Sequence, residues 1–304
     1  MLRYYFILHF IVLIWGFTPV LGRFITLDAW QLVWWRMCLI VPAMFAILLY
    51  QNKSIKILPP KRYMIKMFII GSLIAFHWIC FYGAIKASNI SVTVAAFSSA
   101  TLFTSLVEPF FYKRKIRMYE LLLGVLVMIG ISIIFSVSLK YQAGLLLGLL
   151  AAVLSSVFSV MNSLLVKEKI SSVQISAFEL LFGWLVLSIY LLISGYFDKD
   201  FFEVDRHNWT GLLLLSYVCT TIPFIVAIDL TKHISPYTIN LTVNLESIYG
   251  IILAILIYKE NKDLNWNFYI GLLFILASIF LNGYIKYTQR KKELQFSLVK
   301  ESEL

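Results

Sequence analysis

The chain has 304 residues, of which 61% are hydrophobic and only 14% charged. Soluble domains hold about 45–50% apolar and about 25% charged residues, so a soluble enzyme or binding module is excluded and an all-α membrane protein is expected. The formal charge of +10 does not point to nucleic acid, because the basic residues fall in loops and in the tail rather than in an aromatic-interleaved basic domain.

In chain order, ten hydrophobic tracts of spanning length are predicted near 4–24, 29–50, 65–85, 91–112, 118–138, 143–166, 173–195, 209–230, 236–258 and 267–286. The first tract carries Trp15-Gly16 and Pro19 and no small-residue cleavage site, so it reads as an uncleaved span rather than a signal peptide. The connections are short, which leaves no room for a soluble catalytic domain. The polar segment 287–304 reads as a disordered cytoplasmic tail.

The chain also repeats itself. Lys86-Ala-Ser-Asn-Ile-Ser-Val92 opens a run ending at Tyr112-Lys-Arg-Lys-Ile116. At an offset of 146 positions, Lys232-His-Ile-Ser-Pro-Tyr-Thr238 opens a run ending at Tyr258-Lys-Glu-Asn-Lys262. Five spans per half is an odd number, so the second half enters the bilayer upside down. The expected fold is ten transmembrane helices in two inverted five-helix repeats, 1–139 and 140–286. Inverted halves with polar residues near the midplane are a transporter architecture.

Orientation follows the Lys and Arg bias. With the N-terminus inside, 18 of the 26 basic residues fall in inside segments and seven in outside segments, with Arg36 inside a span. Both termini are therefore expected in the cytoplasm.

Counting about ten residues into each span reaches the centre of an ~30 Å hydrocarbon core. That depth holds Trp15-Gly16, His77-Trp78, Thr101, Ser155-Ser156, Thr220-Thr221 with Pro223, and Glu246-Ser247. Ser98, Thr101, Ser105 and Glu108 share one face of the fourth span, and Asn240, Asn244 and Ser247 one face of the ninth. The repeat maps Ser98 onto Asn244 and Thr101 onto Ser247. These stripes are either a pathway lining or helix–helix glue.

Glu246 is the costliest residue, since a carboxylate at bilayer centre costs at least ~2.5–3.5 kcal/mol. It binds a substrate ammonium, carries a coupled proton, or serves as a buried structural partner. His77 is a second pathway candidate. Arg36 and Glu179 match at an offset of 143 and are expected near opposite faces, so not as a salt bridge. Arg36 snorkels outward or holds an outer gate, and Glu108 snorkels or pairs with Lys113. Pro19 and Pro223 free the carbonyls of Trp15 and Cys219, as ligand acceptors or as kinks. The scattered Cys38, Cys80 and Cys219 and four histidines offer no metal site, and no phosphate-binding loop or cofactor motif is present.

Trp15-Gly-Phe-Thr-Pro19, Ser88-Asn-Ile-Ser91 and Leu245-Glu246 leading to Tyr258-Lys-Glu260 resemble motifs of the EamA-like branch of the drug/metabolite transporter superfamily. The resemblance spans residues 4–286 and implies two inverted five-helix repeats in a bacterial inner membrane, with export of amino acids or related metabolites. It marks Trp15 and Gly16 as pathway candidates. The chain departs from the family pattern at Thr101 and Ser247, where Pro is frequent, and at Arg114, where Glu is frequent. The expected partners are a small-molecule substrate and the lipid bilayer, with no nucleic acid and a homodimer as an open option. A non-transporting membrane receptor or assembly factor and an intramembrane enzyme are the alternative readings. No Ser–His pair, paired aspartates or metal cluster supports an enzyme.

Overall fold

The computed structural model describes residues 2–51, 58–113, 115, 118–135, 141–168, 170–230, 232–234, 236–262 and 264–302. Among them the chain is helical and contains no strand. The principal helices are α1 (Arg3–Phe24), α2 (Ala29–Gln51), α3 (Lys61–Ala87), α4 (Ile90–Tyr112) and α5 (Met118–Phe135) in the first half. The second half holds α6 (Gln142–Lys167), α7 (Ser172–Ile193), α8 (Arg206–Leu230), α9 (Pro236–Tyr258) and α10 (Trp266–Ser302). Among the described residues eight helices are long and apolar enough to cross a membrane; α5 and α9 contribute shorter apolar stretches, Met118–Ile134 and Leu245–Tyr258. A helix satisfies its own backbone polar groups, which suits apolar runs of this length to a medium without water.

The helix α10 continues to Ser302, well beyond position 286, where the sequence suggested a disordered tail. The segment after Tyr287 contains no Gly or Pro and is rich in Lys, Glu, Gln and Leu, residues that favour helix.

Contacts between helix ends sort the structure into two faces. On one, which we call the terminal face, Tyr4 stacks on His233 at 4.1 Å, Tyr63 donates to Glu168 at 2.7 Å, and Tyr112 bonds Ser163 at 2.9 Å. On the opposite face Arg23 pairs with Glu260, and Thr26 bonds Asn208. Thus α1 starts at the terminal face and α6, its repeat counterpart, ends there. The two halves run in opposite senses through the same layer, as the odd number of helices per half demands.

Close packing rests on glycine at two crossings. A Cβ on Gly71 of α3 would sit 2.0 Å from the Glu179 carbonyl oxygen of α7. A Cβ on Gly130 of α5 would sit 2.7 Å from the Gly271 carbonyl oxygen of α10. The second crossing pairs the fifth helices of the two repeats with each other, around Val127, Ile131, Ile275 and Ile279.

Three helices are interrupted near mid-span. In α1 the break falls at Phe17, where Pro19 cannot donate to the Trp15 carbonyl; the Thr18 hydroxyl donates to it instead at 2.8 Å. In α4 it falls at Ser98-Ser99, whose hydroxyls donate to Ala95 and Ala96 carbonyls at 2.6 Å each. In α8, Leu214–Thr221 forms a wider π-helical turn, with the Thr220 hydroxyl on the Leu215 carbonyl at 2.7 Å and that of Thr221 on Ser216 at 2.9 Å. Such turns recur at functional sites.

Candidate functional site

The interrupted segments of α1, α4 and α8 meet around one cavity of about 180 Å³. It is smaller than the ~300–1,000 Å³ clefts that take drug-sized ligands, so it suits a small metabolite. Trp15 and Thr18 come from α1, Arg36 from α2, His77, Trp78, Phe81 and Tyr82 from α3, and Phe97 from α4. The second half adds Ser155, Phe158, Ser159 and Asn162 from α6, Thr220 and Phe224 from α8, and Val243 and Glu246 from α9. The lining also reaches Ala227, Ile228 and Ile239, close to the ends of α8 and α9 on the terminal face.

A guanidinium and a carboxyl group face this space. Arg36 is 4% exposed and Glu246 is 8% exposed, and they make no ion pair with each other. The Arg36 guanidinium lies 3.8 Å above the Trp78 ring, which supplies a cation–π contact. Its Nε and Nη2 donate to Thr220 Oγ1 at 3.1 and 2.6 Å, and its Nη1 donates to Tyr82 Oη at 2.8 Å. A guanidinium has five N–H groups, so this arrangement leaves donors for an anion in the cavity.

Glu246 is held more loosely. Thr18 Oγ1 lies 3.4 Å from Glu246 Oε1 and 2.8 Å from the Trp15 carbonyl. A hydroxyl has one proton, and the shorter contact takes it. The carboxyl group of Glu246 is therefore fixed in place by packing and open to a ligand that brings donors. His77 donates from Nδ1 to the Ala151 carbonyl at 2.8 Å and lies among Phe81, Phe97 and Phe158.

The other sequence candidates are distributed as follows. Ser98, Thr101 and Ser247 line a separate void of about 30 Å³, which shares Phe97, Ser155, Ser159 and Val243 with the main cavity. The polar stripes of α4 and α9 thus meet beside the cavity. The side chain of Asn244 lies outside the described residues. Arg36, read from sequence as snorkelling or gating, turns into the cavity. Glu179 is fully buried and accepts from Asn162 Nδ2 at 3.2 Å. Glu108 is half-buried on α4 and is not part of the lining. Pro19 and Pro223 are buried at the α1 and α8 interruptions.

Sequence reasoning missed Asn162 and the aromatic walls Phe81, Phe97, Phe158 and Phe224. Asn162 was findable as the lone amide among the serines of α6. The phenylalanines were not, because the same residue type also covers the lipid-facing surface, as at Phe6, Phe10 and Phe280. Among the described residues no group of His, Cys, Asp and Glu is placed to hold a metal ion.

The uncharacterized transporter YxxF of Bacillus subtilis (strain 168) is 20% identical over 223 residues, 73% of this chain and 70% of that protein. A solved structure described only as the crystal structure of a protein superposes with a TM-score of 0.65 at 13% identity, over 91% of this chain and 96% of that one. It shares the fold. The sequence profile of the EamA-like transporter family matches residues 2–136 and again 142–284, once for each half. The protein therefore belongs to the EamA-like transporter family.

Proposed function

We propose that the protein is a secondary transporter that exports amino acids or related small metabolites by alternating access through the cavity between its halves. In this reading ten helices cross a bacterial inner membrane, both termini are cytoplasmic, and the terminal face is the cytoplasmic one. The observation that carries the reading is the placement of Arg36 and Glu246 on one small cavity without mutual contact. Two uncompensated opposite charges near mid-membrane are expensive, and a zwitterion seated between them relieves both. Its carboxylate takes the free Arg36 donors and its ammonium takes Glu246. The aromatic walls accommodate an apolar remainder. Solute moves by reclosing one face and opening the other, which the inverted halves supply by rocking about α1, α4 and α8.

The test is metabolite profiling of the medium with and without expression, followed by vesicle transport of whatever changes. Glu246→Gln keeps the shape and removes the charge. Normal abundance with flux reduced at least about tenfold, or ~1.4 kcal/mol, is expected. Full flux in that variant sinks the role of Glu246 in binding.

A further inference from the structure

The small void beside the main cavity is lined by Ser98, Thr101 and Thr104 of α4, Ser155 and Ser159 of α6 and Ser247 of α9. Thr101 and Ser247 are equivalent in the repeat, so the lining draws on both halves. Hydroxyls that only glue helices together bond one another or the backbone. Part of the set does so. Ser98 Oγ donates to the Ala95 carbonyl at 2.6 Å and Thr104 Oγ1 to the Ala100 carbonyl at 2.8 Å. Their protons are spent and their lone pairs remain. Ser247 is different. It is 2% exposed and lines the void, and its hydroxyl has no hydrogen-bond partner among the described residues. The Ser155 hydroxyl, which lines both the void and the main cavity, has none among them either. Buried polar groups are rarely left unpaired, so these two call for a partner that the helices do not supply.

The chemistry of that partner follows from the lining. A water-sized group needs about 10–15 Å³, so a void of about 30 Å³ takes one hydroxyl or one carboxamide and excludes a ring. No charged side chain lines it among the described residues, so a carboxylate or an ammonium finds no counter-charge there. Ser98 and Thr104 offer acceptors, while Ser155 and Ser247 each offer a proton as well. A neutral group that both donates and accepts satisfies this set. A methyl group of the same size satisfies none of it. Phe97, Ser155, Ser159 and Val243 line the void and the main cavity alike, so a solute in the cavity has the void at its side.

We infer that the void is a side-chain subsite of the cavity and selects solutes whose side chain ends in a hydroxyl or a carboxamide. This rests on the reading of the main cavity as the seat of a zwitterion. Arg36 and Glu246 then hold the two charged groups of the solute, and the aromatic walls hold its carbon stem. The hydroxyls of Ser247 and Ser155 bond its polar end. Selection comes from the cost of the wrong solute. A site built to bond a hydroxyl is left with unpaired polar groups of its own when a methyl group enters instead.

Amino acids paired by shape test the subsite: serine with alanine, threonine with valine, asparagine with leucine, and glutamine with methionine. Affinity for the purified full chain is read from the concentration dependence of its thermal unfolding midpoint. The polar member of at least one pair should bind at least about fivefold tighter, the factor that one net hydrogen bond is worth. Ser247→Ala should reduce that preference several-fold, and Glu246→Gln should weaken both members of the pair alike. Should Ser247→Ala fail to fold, Ser155→Ala is read in the same way. Equal binding within every pair, or no binding of any member, overturns the subsite and leaves the void to water alone. A preference that survives the serine substitution undiminished overturns it as well. If Glu246→Gln keeps full affinity together with the preference, the zwitterion reading fails and the subsite stands. The same pairs are then followed in vesicles. Binding with the preference but without flux of either member rejects transport and leaves the subsite standing.

Discussion

The two ends of the repeat were built from one plan and have diverged in chemistry. On the opposite face, Glu260 after α9 is fully buried and accepts from Ile90 N at 3.0 Å, Ser91 N at 2.9 Å and Ser91 Oγ at 2.7 Å. A carboxylate at the start of α4 also meets the positive end of that helix. Asn89 caps the same helix on Val92 N at 2.8 Å. Arg23 from α1 pairs with Glu260 and lies 4.5 Å from the Tyr258 ring centre, while Lys86 donates to the Ile25 carbonyl. One carboxylate thereby ties α1, α4 and α9 together across the two halves.

The corresponding end on the terminal face keeps the aromatic half of this arrangement, and its sequence has no acidic residue at the position that matches Glu260. Tyr112 is the repeat partner of Tyr258, and Lys167 lies 4.2 Å from its ring centre as Arg23 does over Tyr258. At the 146 offset, however, Glu260 maps to Arg114, Ile90 to Pro236 and Ser91 to Tyr237. The acceptor has become a cation, one backbone donor is gone with proline, and the hydroxyl donor is replaced. Lys232, the partner of Lys86, pairs locally with Asp229 at 2.5 Å. The cavity lining reaches toward this end, at Ile228 and Ile239. The lesson is that near-symmetric halves need not give two equally stable states. A tie whose acidic residue is encoded at one end only is expected to bias the equilibrium toward closure of that end.

The largest effect is expected from cutting the tie. Removing one partner of a buried charge pair costs about 3–5 kcal/mol, and the 37% exposure of Arg23 places this case toward the lower figure. Glu260→Ala should lower the thermal unfolding midpoint in detergent. It should also open the cavity from the opposite face, so that a cysteine at Phe97 gains reactivity toward an impermeant thiol reagent added on that side. The native Cys38, Cys80 and Cys219 are replaced first. A cysteine that stays inert there, with the unfolding midpoint unchanged, shows that Glu260 is not what holds this face shut.

Ser91→Ala makes a finer cut. It deletes a single hydroxyl on the Glu260 carboxylate and leaves the Ser91 backbone N–H in place. A hydrogen bond to a charged group is worth about 1.5–3 kcal/mol, so the unfolding midpoint should move in the same direction as for Glu260→Ala and by less. Equal shifts in the two variants would mean that neither the ion pair with Arg23 nor the backbone bonds from Ile90 and Ser91 contribute.

Much of this was legible in the sequence, and the limit has a physical cause. The 146-residue offset and the parity of the helices gave the inverted halves, because hydrophobic length and repeated polar positions are properties of the chain itself. The same offset brought together Thr101 and Ser247, which the structure places in one void. Arg36 was read outward, because depth along a helix says nothing of which way the side chain turns. That direction is set by Trp78, Tyr82 and Thr220, contributed by two other helices. The α4 break at Ser98-Ser99 was equally hidden, since no proline or glycine marks it. Its cue is serine hydroxyls returning to their own backbone, a choice that tertiary packing decides. The partnership of helices α5 and α10 was hidden as well. They pack on each other through Gly130 and Gly271, two glycines with nothing in their local sequence to pair them.

The most informative test rebuilds the missing tie instead of removing the existing one. Arg114→Glu combined with Pro236→Ile and Tyr237→Ser restores, on the terminal face, the acceptor, the backbone donor and the hydroxyl donor found at Glu260, Ile90 and Ser91. Lys167 already lies over Tyr112 in the place that Arg23 takes over Tyr258. By the repeat, the engineered carboxylate is expected to meet both a cation and a helix start. The face toward which the cavity now reaches should close more often. A bias of ~1.4 kcal/mol is a tenfold change in the equilibrium, and it should appear as slower flux and weaker labelling of a cysteine at Ile228 from the terminal face. Arg114→Glu alone should do less, because Pro236 has no N–H to donate. If the triple variant labels and transports like the wild type, the asymmetry of the two ends does not set the resting state, and the bias must lie in the α1, α4 and α8 interruptions.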